Sequence, residues 1–206
     1  MKNIIFDIDG TLWDTTEVVA KAWSRAVKEI GATSAIISPE ILKKEFGKTM
    51  EVIAEDLFYD VDKQKKVKLI ELCCKYEEEA LSEVTDNLLY PNVKDTLIKL
   101  SKSFRLFIVS NCQSGYIELF MEKAGVKEYI TDYECYGNTG RGKGENIKGV
   151  IDRNNLEDVV YVGDTQGDYE ATVFTKIPFI YAKYGFGSPE DCYLAIDSID
   201  ELLNSF

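Results

Sequence analysis

Short apolar runs alternate with longer amphipathic stretches along most of the chain, and this alternation predicts most of its secondary structure. The apolar runs are rich in β-branched and aromatic residues, which is typical of buried strands. They predict strands at residues 4–8, 105–109, 129–133, 159–162 and 178–181. Apolar residues at helical spacing predict helices at 93–100, 116–124, 145–153, 168–174 and 198–203. Strands that alternate with helices predict an α/β fold with a Rossmann-like, doubly wound parallel sheet covered on both faces.

One long stretch after the first strand departs from this alternation. Residues 15–90 read as almost wholly helical, with predicted helices at 17–30, 40–46, 50–58 and 62–83. Gly31 closes the first of these helices, and Ser38 followed by Pro39 is a typical start of the second. We therefore predict two domains, an α/β core made of residues 1–14 and 91–206 and an inserted all-helical domain at 15–90.

Charge and hydropathy exclude several classes of partner. The chain of 206 residues has a formal net charge of −12, which argues against binding to nucleic acids or anionic membranes. No apolar run approaches the roughly 20 residues that a membrane-spanning helix needs. The first apolar run is interrupted by Asp7 too early for a signal peptide. We expect a cytoplasmic protein without membrane or nucleic-acid partners.

The absence of histidine restricts the chemistry further. It excludes Ser-His-Asp and Cys-His catalysis, histidine-based zinc sites and acid–base catalysis by imidazole. The five cysteines show no C-x-x-C spacing and are expected to be reduced. Acid–base work in this chain therefore depends on carboxylates, lysine, tyrosine or water.

The first predicted strand ends in the segment FDIDGT, which places two carboxylates one residue apart. Strand alternation predicts that Asp7 and Asp9 point to the same face. Two like charges at this distance raise the pKa of one carboxyl group unless a cation lies between them. Gly10 and Thr11 then end the strand, and the glycine permits a close approach to the backbone. These residues alone are also compatible with an ordinary turn.

Three other segments carry polar groups at similar positions. The strand at 105–109 runs into Ser110 and Asn111, and the strand at 159–162 runs into the segment GDTQGD, which contains Asp164 and Asp168. Between them, the segment RGKG places Lys143 at the start of a predicted helix. Because ligand sites in open α/β sheets form at the carboxyl ends of the strands, we expect these groups to meet Asp7 and Asp9.

Together these side chains suit a phosphate group held between a metal ion and a lysine. The carboxylates Asp7, Asp9 and Asp164 are hard oxygen ligands of the kind that Mg²⁺ prefers. Ser110 offers a hydroxyl group beside a helix start, where anions bind readily, and Lys143 offers a cation. A metal ion would also offset the repulsion between the paired carboxylates.

The segments FDIDGT, VSN, GKGENI and GDTQGD resemble the four ordered motifs of the haloacid dehalogenase superfamily in its phosphatase branch. The resemblance extends from Asp7 to Asp168, and the helical insertion is similar to the helical cap of the phosphoglycolate phosphatase and β-phosphoglucomutase relatives. It implies a Mg²⁺-dependent phosphatase that hydrolyses a small phosphorylated metabolite through an aspartyl-phosphate intermediate. The alternative on the same scaffold is a phosphomutase of the β-phosphoglucomutase type.

The resemblance also implies a role for each motif residue. Asp7 would be the nucleophile, and Asp9 the general acid and then the general base. Thr11 would orient this pair and bind phosphate, and Ser110 and Asn111 would bind the phosphoryl group. Lys143 would be the catalytic cation. Mg²⁺ would be held by Asp7, the Asp9 carbonyl and Asp164, with Asp168 behind these ligands or reaching Lys143.

Two lysine assignments leave alternatives open. The relatives often carry a proline after the catalytic lysine, whereas this chain has Gly144, so Arg141 or Lys148 could replace Lys143. Lys48, in a break between two predicted helices, could contact the far end of an anionic substrate or lie in a simple solvated turn. A signalling receiver domain and a catalytically inactive binding protein are alternatives of another class, and a monomer and a homodimer are equally compatible with the sequence.

Overall fold

The computed structural model describes residues 2–205 and contains one parallel sheet of six strands. The strands are β1 (Asn3–Phe6), β2 (Arg105–Ser110), β3 (Ile130–Cys135), β4 (Val159–Gly163), β5 (Phe179–Ala182) and β6 (Leu194–Ile196). Their spatial order is β3-β2-β1-β4-β5-β6, so the direction of winding reverses between β1 and β4. Ligand sites in open α/β sheets form beside such a reversal, at the carboxyl ends of the strands.

Nine α-helices and two short 3₁₀ helices are present in the described residues. The α-helices are α1 (Thr16–Ile30), α2 (Pro39–Glu45), α3 (Met50–Leu57), α4 (Lys63–Glu83), α5 (Val93–Leu100), α6 (Tyr116–Ala124), α7 (Tyr136–Thr139), α8 (Lys143–Asn154) and α9 (Gln166–Thr175). The 3₁₀ helices are Lys127–Tyr129 and Ile199–Asn204. Within residues 2–205, none of the helices is both long and apolar enough to span a membrane.

The central strands are apolar on both faces because helices cover the sheet on both sides. Ile5 of β1 and Tyr161 of β4 pack with Ile147 of α8 on one face. Their strand neighbours Ile4 and Val160 belong to a larger apolar cluster on the other face, which includes residues of α5 and α6. The Rossmann-like α/β prediction is confirmed by this topology and by its two-sided core.

Helices α1 to α4, here called the helical segment (residues 16–83), follow β1 directly. Helix α1 packs along α4, and Trp23 of α1 is buried in this part of the molecule. Apolar residues of this segment, such as Leu69, join the same cluster as Ile4 of the sheet. The division of the chain into domains 1–14 with 91–206 and 15–90 stays a prediction, because the two parts share one continuous core.

The sequence reading of three local features was wrong. Strand β1 ends at Phe6, before Asp7, so the strand alternation used for Asp7 and Asp9 does not apply. Strand β6 was not predicted, and the last predicted helix is a 3₁₀ helix. Strand β6 and this 3₁₀ helix are short elements near the end of the chain, and their three and six residues are too few to show a clear period.

Candidate active site

Polar side chains collect at the carboxyl edge of the sheet, beside the point where the strand order reverses. Asp7 follows β1, Ser110 ends β2 and Asp164 follows β4. All three are at least 96% buried, with exposed fractions of 1%, 4% and 0%. Buried polar groups need partners, so each carboxylate here requires a donor, a cation or a ligand.

Lys143 is the cation that meets these carboxylates. It is the first residue of α8, and its side chain is 4% exposed. Its Nζ lies 3.0 Å from Oδ1 of Asp7 and 2.5 Å from Oδ1 of Asp168. Arg141 and Lys148, the other two candidates for this position, are exposed to solvent. The geometry therefore brings Lys143, and neither alternative, into the site.

Asp168 is held by a dense set of donors. Thr165 and Asp168 form a capping box at the start of α9, in which Oδ2 of Asp168 accepts from the backbone N–H of Thr165 at 2.9 Å and from its hydroxyl at 2.8 Å. The same oxygen accepts from the backbone N–H of Asp164, and Oδ1 also accepts from the Tyr161 hydroxyl. Both oxygens are thus satisfied by protein groups, and Asp168 orients Lys143.

Burial and charge act in opposite directions in this cluster. Burial raises the pKa of Asp7 to about 6, although Lys143 draws it down. Burial also disfavours the charged form of Asp168, yet the ammonium of Lys143 holds the pKa of that carboxyl below its usual value. The two carboxylates outweigh burial at Lys143 and raise the pKa of its ammonium. Lys143 is therefore a cation in the folded protein.

The donor set fits a magnesium ion. Carboxylate oxygens of Asp7, Asp164 and Asp168 lie within 4.8 Å of one another. Oδ2 of Asp7 is buried and, among residues 2–205, has no hydrogen-bond partner. Burial beside the other two carboxylates raises the pKa of Asp164 well above its usual value. An oxygen-preferring divalent cation beside these carboxylates would offset this excess of negative charge.

Thr11 contacts a different partner from the one expected. It was predicted to orient Asp7 and Asp9, but its hydroxyl donates to Oδ1 of Asp164 at 3.2 Å, and the residue is completely buried. Its neighbour Gly10 has φ +82°, and a Cβ there would overlap the Asp164 carboxylate. Thr11 and Gly10 therefore position Asp164, and phosphate binding by Thr11 stays a prediction.

Asp9 has a partner set of its own. Its Oδ1 accepts from the indole of Trp13 at 3.0 Å, the hydroxyl of Thr15 at 3.2 Å and the hydroxyl of Tyr116 at 2.7 Å. Burial raises the pKa of Asp9 to about 8, against the opposing effect of the Tyr116 hydrogen bond, and the charge of Asp7 adds to the increase. A carboxyl group with this pKa carries a proton near neutral pH and can give it up.

A small cavity, here called the inner cavity, lies between Asp9 and the helical segment, and its volume is about 40 Å³. Ser110 and Asn111 contribute to its wall on the sheet side. The amide Nδ2 of Asn111 donates to the Gly47 carbonyl at 2.8 Å, a contact with the helical segment that the sequence did not predict. This hydrogen bond holds the loop between α2 and α3 over the carboxyl edge of the sheet.

Lys48 also lines the inner cavity, but its charge is already paired. Its Nζ lies 2.8 Å from a carboxylate oxygen of Glu45 and 2.8 Å from one of Asp56. Burial alone would lower the pKa of Lys48, yet these two carboxylates raise it. Contact between Lys48 and a substrate stays a prediction, and any such contact would compete with two existing ion pairs.

The sequence did not predict that two residues, Tyr116 and Glu77, lie at the inner cavity. Tyr116 was assigned to helix α6 alone, although its hydroxyl contacts Asp9. Glu77 was read as part of a charged helix, although it is 3% exposed and lines the inner cavity. A Glu on the buried side of α4 and a Tyr at the first position of the helix after the VSN motif were the signals available in the sequence.

A carboxylate–lysine cluster at the reversal point of a doubly wound parallel sheet is the site of an α/β enzyme. Comparison with family models identifies the family: the model for haloacid dehalogenase-like hydrolases matches residues 4–182. The chain therefore belongs to the haloacid dehalogenase-like hydrolases, and the family resemblance of its four motifs is confirmed. The match includes the helical segment and every candidate site residue.

The relatives include several phosphoglycolate phosphatases. The chain is 24% identical to the phosphoglycolate phosphatase of Vibrio parahaemolyticus, over 98% of this chain and 95% of the relative. It is 28% identical to that of Aquifex aeolicus, over 83% of this chain and 79% of the relative. The chain thus spans most of the length of these enzymes.

Solved structures share the same fold. A protein from Haemophilus somnus, described as a predicted phosphoglycolate phosphatase, has a TM-score of 0.88 at 20% identity. The match covers 100% of this chain and 97% of the Haemophilus somnus chain. A haloacid dehalogenase-like hydrolase from Streptococcus pneumoniae has a TM-score of 0.85 at 20% identity, with 100% and 98% covered. These likenesses show that the chain shares the fold of these proteins.

Proposed function

We propose that this hydrolase is a Mg²⁺-dependent phosphatase that cleaves a small phosphate monoester through an aspartyl-phosphate on Asp7, like the phosphoglycolate phosphatases among its relatives. The observation that carries the proposal is the buried, unpartnered Oδ2 of Asp7, whose other oxygen is held by Lys143. An oxygen fixed in this way, with no hydrogen bond to break, is suited to attack a phosphorus atom. A cytoplasmic location is part of the same proposal.

In the first half-reaction, Oδ2 of Asp7 attacks the phosphorus atom and forms an acyl-phosphate bond. The bond between phosphorus and the ester oxygen breaks, and Asp9 gives its proton to the departing alkoxide. The raised pKa of Asp9, about 8, keeps that proton available when substrate binds. Trp13 and Tyr116 hold Oδ1 of Asp9 in place, so its other oxygen is the one available to the substrate.

In the second half-reaction, Asp9 acts as a base. It removes a proton from a water molecule, whose oxygen attacks the phosphorus atom of the acyl-phosphate. The bond between phosphorus and the Asp7 oxygen breaks, which releases inorganic phosphate and restores the Asp7 carboxylate. Lys143, fixed by Asp168, and the hydroxyl of Ser110 provide positive charge and a donor for the phosphoryl oxygens.

Magnesium would be held by Asp7 and Asp164, with the Asp9 carbonyl as a further ligand implied by the family resemblance. A bound Mg²⁺ supplies charge neutralisation for the phosphoryl oxygens. Thr11 and the Phe186 N–H, which donate to Asp164 at 3.2 Å and 2.7 Å, keep that carboxylate aimed at the edge of the sheet. These contacts fix the ligand before the metal arrives.

The phosphomutase alternative is not supported by any contact in the helical segment. A mutase must hold a second phosphate group with a cation on that side. Lys48 is the cation that lines the inner cavity, and its charge is paired with Glu45 and Asp56. Hydrolysis needs no second phosphate site and is the reaction we propose.

The proposal is tested by hydrolysis of an aryl phosphate with Mg²⁺ and then with a chelator. The wild-type protein is expected to turn the ester over with Mg²⁺ only, and Asp7→Asn to fall to the background rate. Asp152→Asn, which removes an exposed carboxylate from α8, is the matched control and should keep full activity. Equal rates with and without Mg²⁺, or in Asp7→Asn and wild type, would contradict the proposal.

A further inference from the structure

Glu77 is the acidic residue that α4 of the helical segment buries at the inner cavity. Its Oε2 accepts from the indole N–H of Trp23 at 2.7 Å, and its Oε1 accepts from Nε2 of Gln113 at 2.9 Å. The residue is 3% exposed. Two donors that both point at its oxygens stabilise the carboxylate and keep it beside the cavity.

The charge on this side of the active site is negative. Lys48 is the cation at the cavity wall, and it is shared between the carboxylates of Glu45 and Asp56. The charge of Lys48 is therefore already paired, and Glu77 adds a carboxylate to the wall of the space that faces Asp9. The remaining wall is largely apolar and includes Met50 and Ile53. A buried like charge in such surroundings is poorly screened.

The space itself is small. Its volume of about 40 Å³ holds only a few water molecules, since one water requires roughly 10–15 Å³ measured in this way. Asp9, the proposed proton donor to the leaving group, lies in its wall. We expect the alcohol part of the substrate to enter this cavity, which has room for a few heavy atoms.

We infer that Glu77 makes the enzyme select small phosphate monoesters whose alcohol part carries no negative charge. This inference rests on the proposed phosphatase function and narrows its substrate class. A carboxylate on the leaving group would be buried against Glu77 with no unpaired cation to receive it among the described residues of the cavity wall. A hydroxyl or amino group can instead donate to a Glu77 oxygen.

Phosphoglycolate, the substrate in the names of several relatives, does not fit this selectivity. Phosphoglycolate carries a carboxylate two carbons from the ester oxygen, which would place a second negative charge in the inner cavity. The motif residues that the chain shares with its family would contact the phosphoryl group, and their arrangement does not depend on the alcohol part of the substrate. Substrate selection is thus a property of Glu77 and the surrounding helical segment.

Three two-carbon esters of similar size test this directly. The probes are 2-phosphoglycolate, 2-hydroxyethyl phosphate and phosphoethanolamine, which end in a carboxylate, a hydroxyl and an ammonium group. Their kcat/KM values are compared with Mg²⁺ at about pH 8, where Glu77, whose pKa is raised to about 7 by burial, is ionised. We expect the hydroxyl and ammonium esters to exceed 2-phosphoglycolate by about tenfold or more.

Glu77→Gln tests the residue itself. A glutamine can still accept from Trp23, and rotation of the Gln113 amide lets it accept from the new side chain. We expect kcat/KM for 2-phosphoglycolate to rise by about fivefold or more relative to kcat/KM for 2-hydroxyethyl phosphate. Glu55→Gln is the control: it removes an exposed carboxylate from the same segment, where Glu55 pairs with the buried Lys66 and neither residue lines the inner cavity.

The outcomes are distinct. Turnover with 2-phosphoglycolate as the best of the three esters would overturn the inference and leave the phosphatase proposal intact. An unchanged ester ratio in a folded Glu77→Gln variant would overturn the role of Glu77. Failure of the wild-type protein to hydrolyse any ester, including the aryl phosphate, would contradict the proposed function and the inference with it.

Discussion

The Nζ of Lys143 lies 3.0 Å from Oδ1 of Asp7, and both residues are almost completely buried, although 136 positions separate them in the chain. Asp168 holds the same ammonium from the other side. This arrangement leaves one oxygen of Asp7 without a partner and points to the chemistry proposed above. It also makes the cluster a structural element whose parts depend on one another.

Replacing Lys143 with methionine is expected to destabilise the fold. The change leaves the buried carboxylates of Asp7 and Asp168 without their cation, which typically costs about 3 to 5 kcal/mol of unfolding free energy. Urea denaturation measures the loss, and Lys148→Met on the exposed side of the same helix should change stability by less than about 0.5 kcal/mol. Adding Asp168→Asn to Lys143→Met should recover part of the loss. Equal stability of the two lysine variants would contradict the account.

Replacing Asp164 with asparagine is expected to weaken Mg²⁺ binding. Wild-type protein should gain about 2.7 kcal/mol of stability at a Mg²⁺ concentration 100 times its dissociation constant. In Asp164→Asn the same Mg²⁺ concentration should give a clearly smaller increase in melting temperature. The exposed Asp152→Asn variant serves as the reference and should respond like the wild type. A full Mg²⁺ response in Asp164→Asn would show that the ion binds elsewhere.

Replacing Tyr116 with phenylalanine is expected to lower kcat with little effect on folding. The lost hydroxyl donates to Asp9 at 2.7 Å, while Trp13 and Thr15 continue to hold the same oxygen. A hydrogen bond of this kind corresponds to about 1.5 kcal/mol, or roughly a tenfold decrease in kcat. The exposed Tyr193→Phe variant is the comparison and should match the wild type. Unchanged kcat in Tyr116→Phe would remove this residue from the orientation of Asp9.

The burial of Glu77 predicts that the free energy of unfolding depends on pH. Burial raises its pKa from 4.5 to about 7, so the folded state binds a proton more strongly than the unfolded state. Its stabilising contribution is complete below pH 4.5 and is lost as the pH rises through about 7. Relative to Glu77→Gln, the wild-type protein should therefore lose up to about 3 kcal/mol over this interval, measured by urea denaturation. Glu55→Gln should give a difference from wild type that does not vary with pH in this way, and a pH-independent difference for Glu77→Gln would contradict the prediction.

The sequence predicted the sheet and the motif cluster because both depend on local signals. Buried parallel strands such as β2 and β4 are continuous apolar runs, and the polar groups that end them mark the carboxyl edge. Lys143 could be placed near this edge but not chosen over Arg141 and Lys148, since only the start of α8 at Gly142–Lys143 fixes which side chain turns inward.

The inner cavity could not be predicted, because its walls come from distant parts of the chain. Tyr116 is 107 positions from Asp9, and Glu77 is 54 positions from Trp23. On α4, Glu77 stands in a run of charged residues that resembles a solvated face, and it is buried by packing against α1 and by its contact with Gln113. The contact of Thr11 with Asp164 could not be predicted for a related reason: Asp164 follows another strand, whereas Asp7 and Asp9 are close to Thr11 in sequence.

The central claim is that Asp7 carries the phosphoryl group, and the most direct measurement traps it there. The protein is mixed with a ³²P-labelled monoester and Mg²⁺, quenched in acid within a second and digested for peptide mapping. The account predicts label on the peptide that contains Asp7, released by hydroxylamine and lost within seconds when unlabelled substrate is added. Label that persists for minutes would indicate a signalling switch. Turnover with no label on Asp7 would contradict the account.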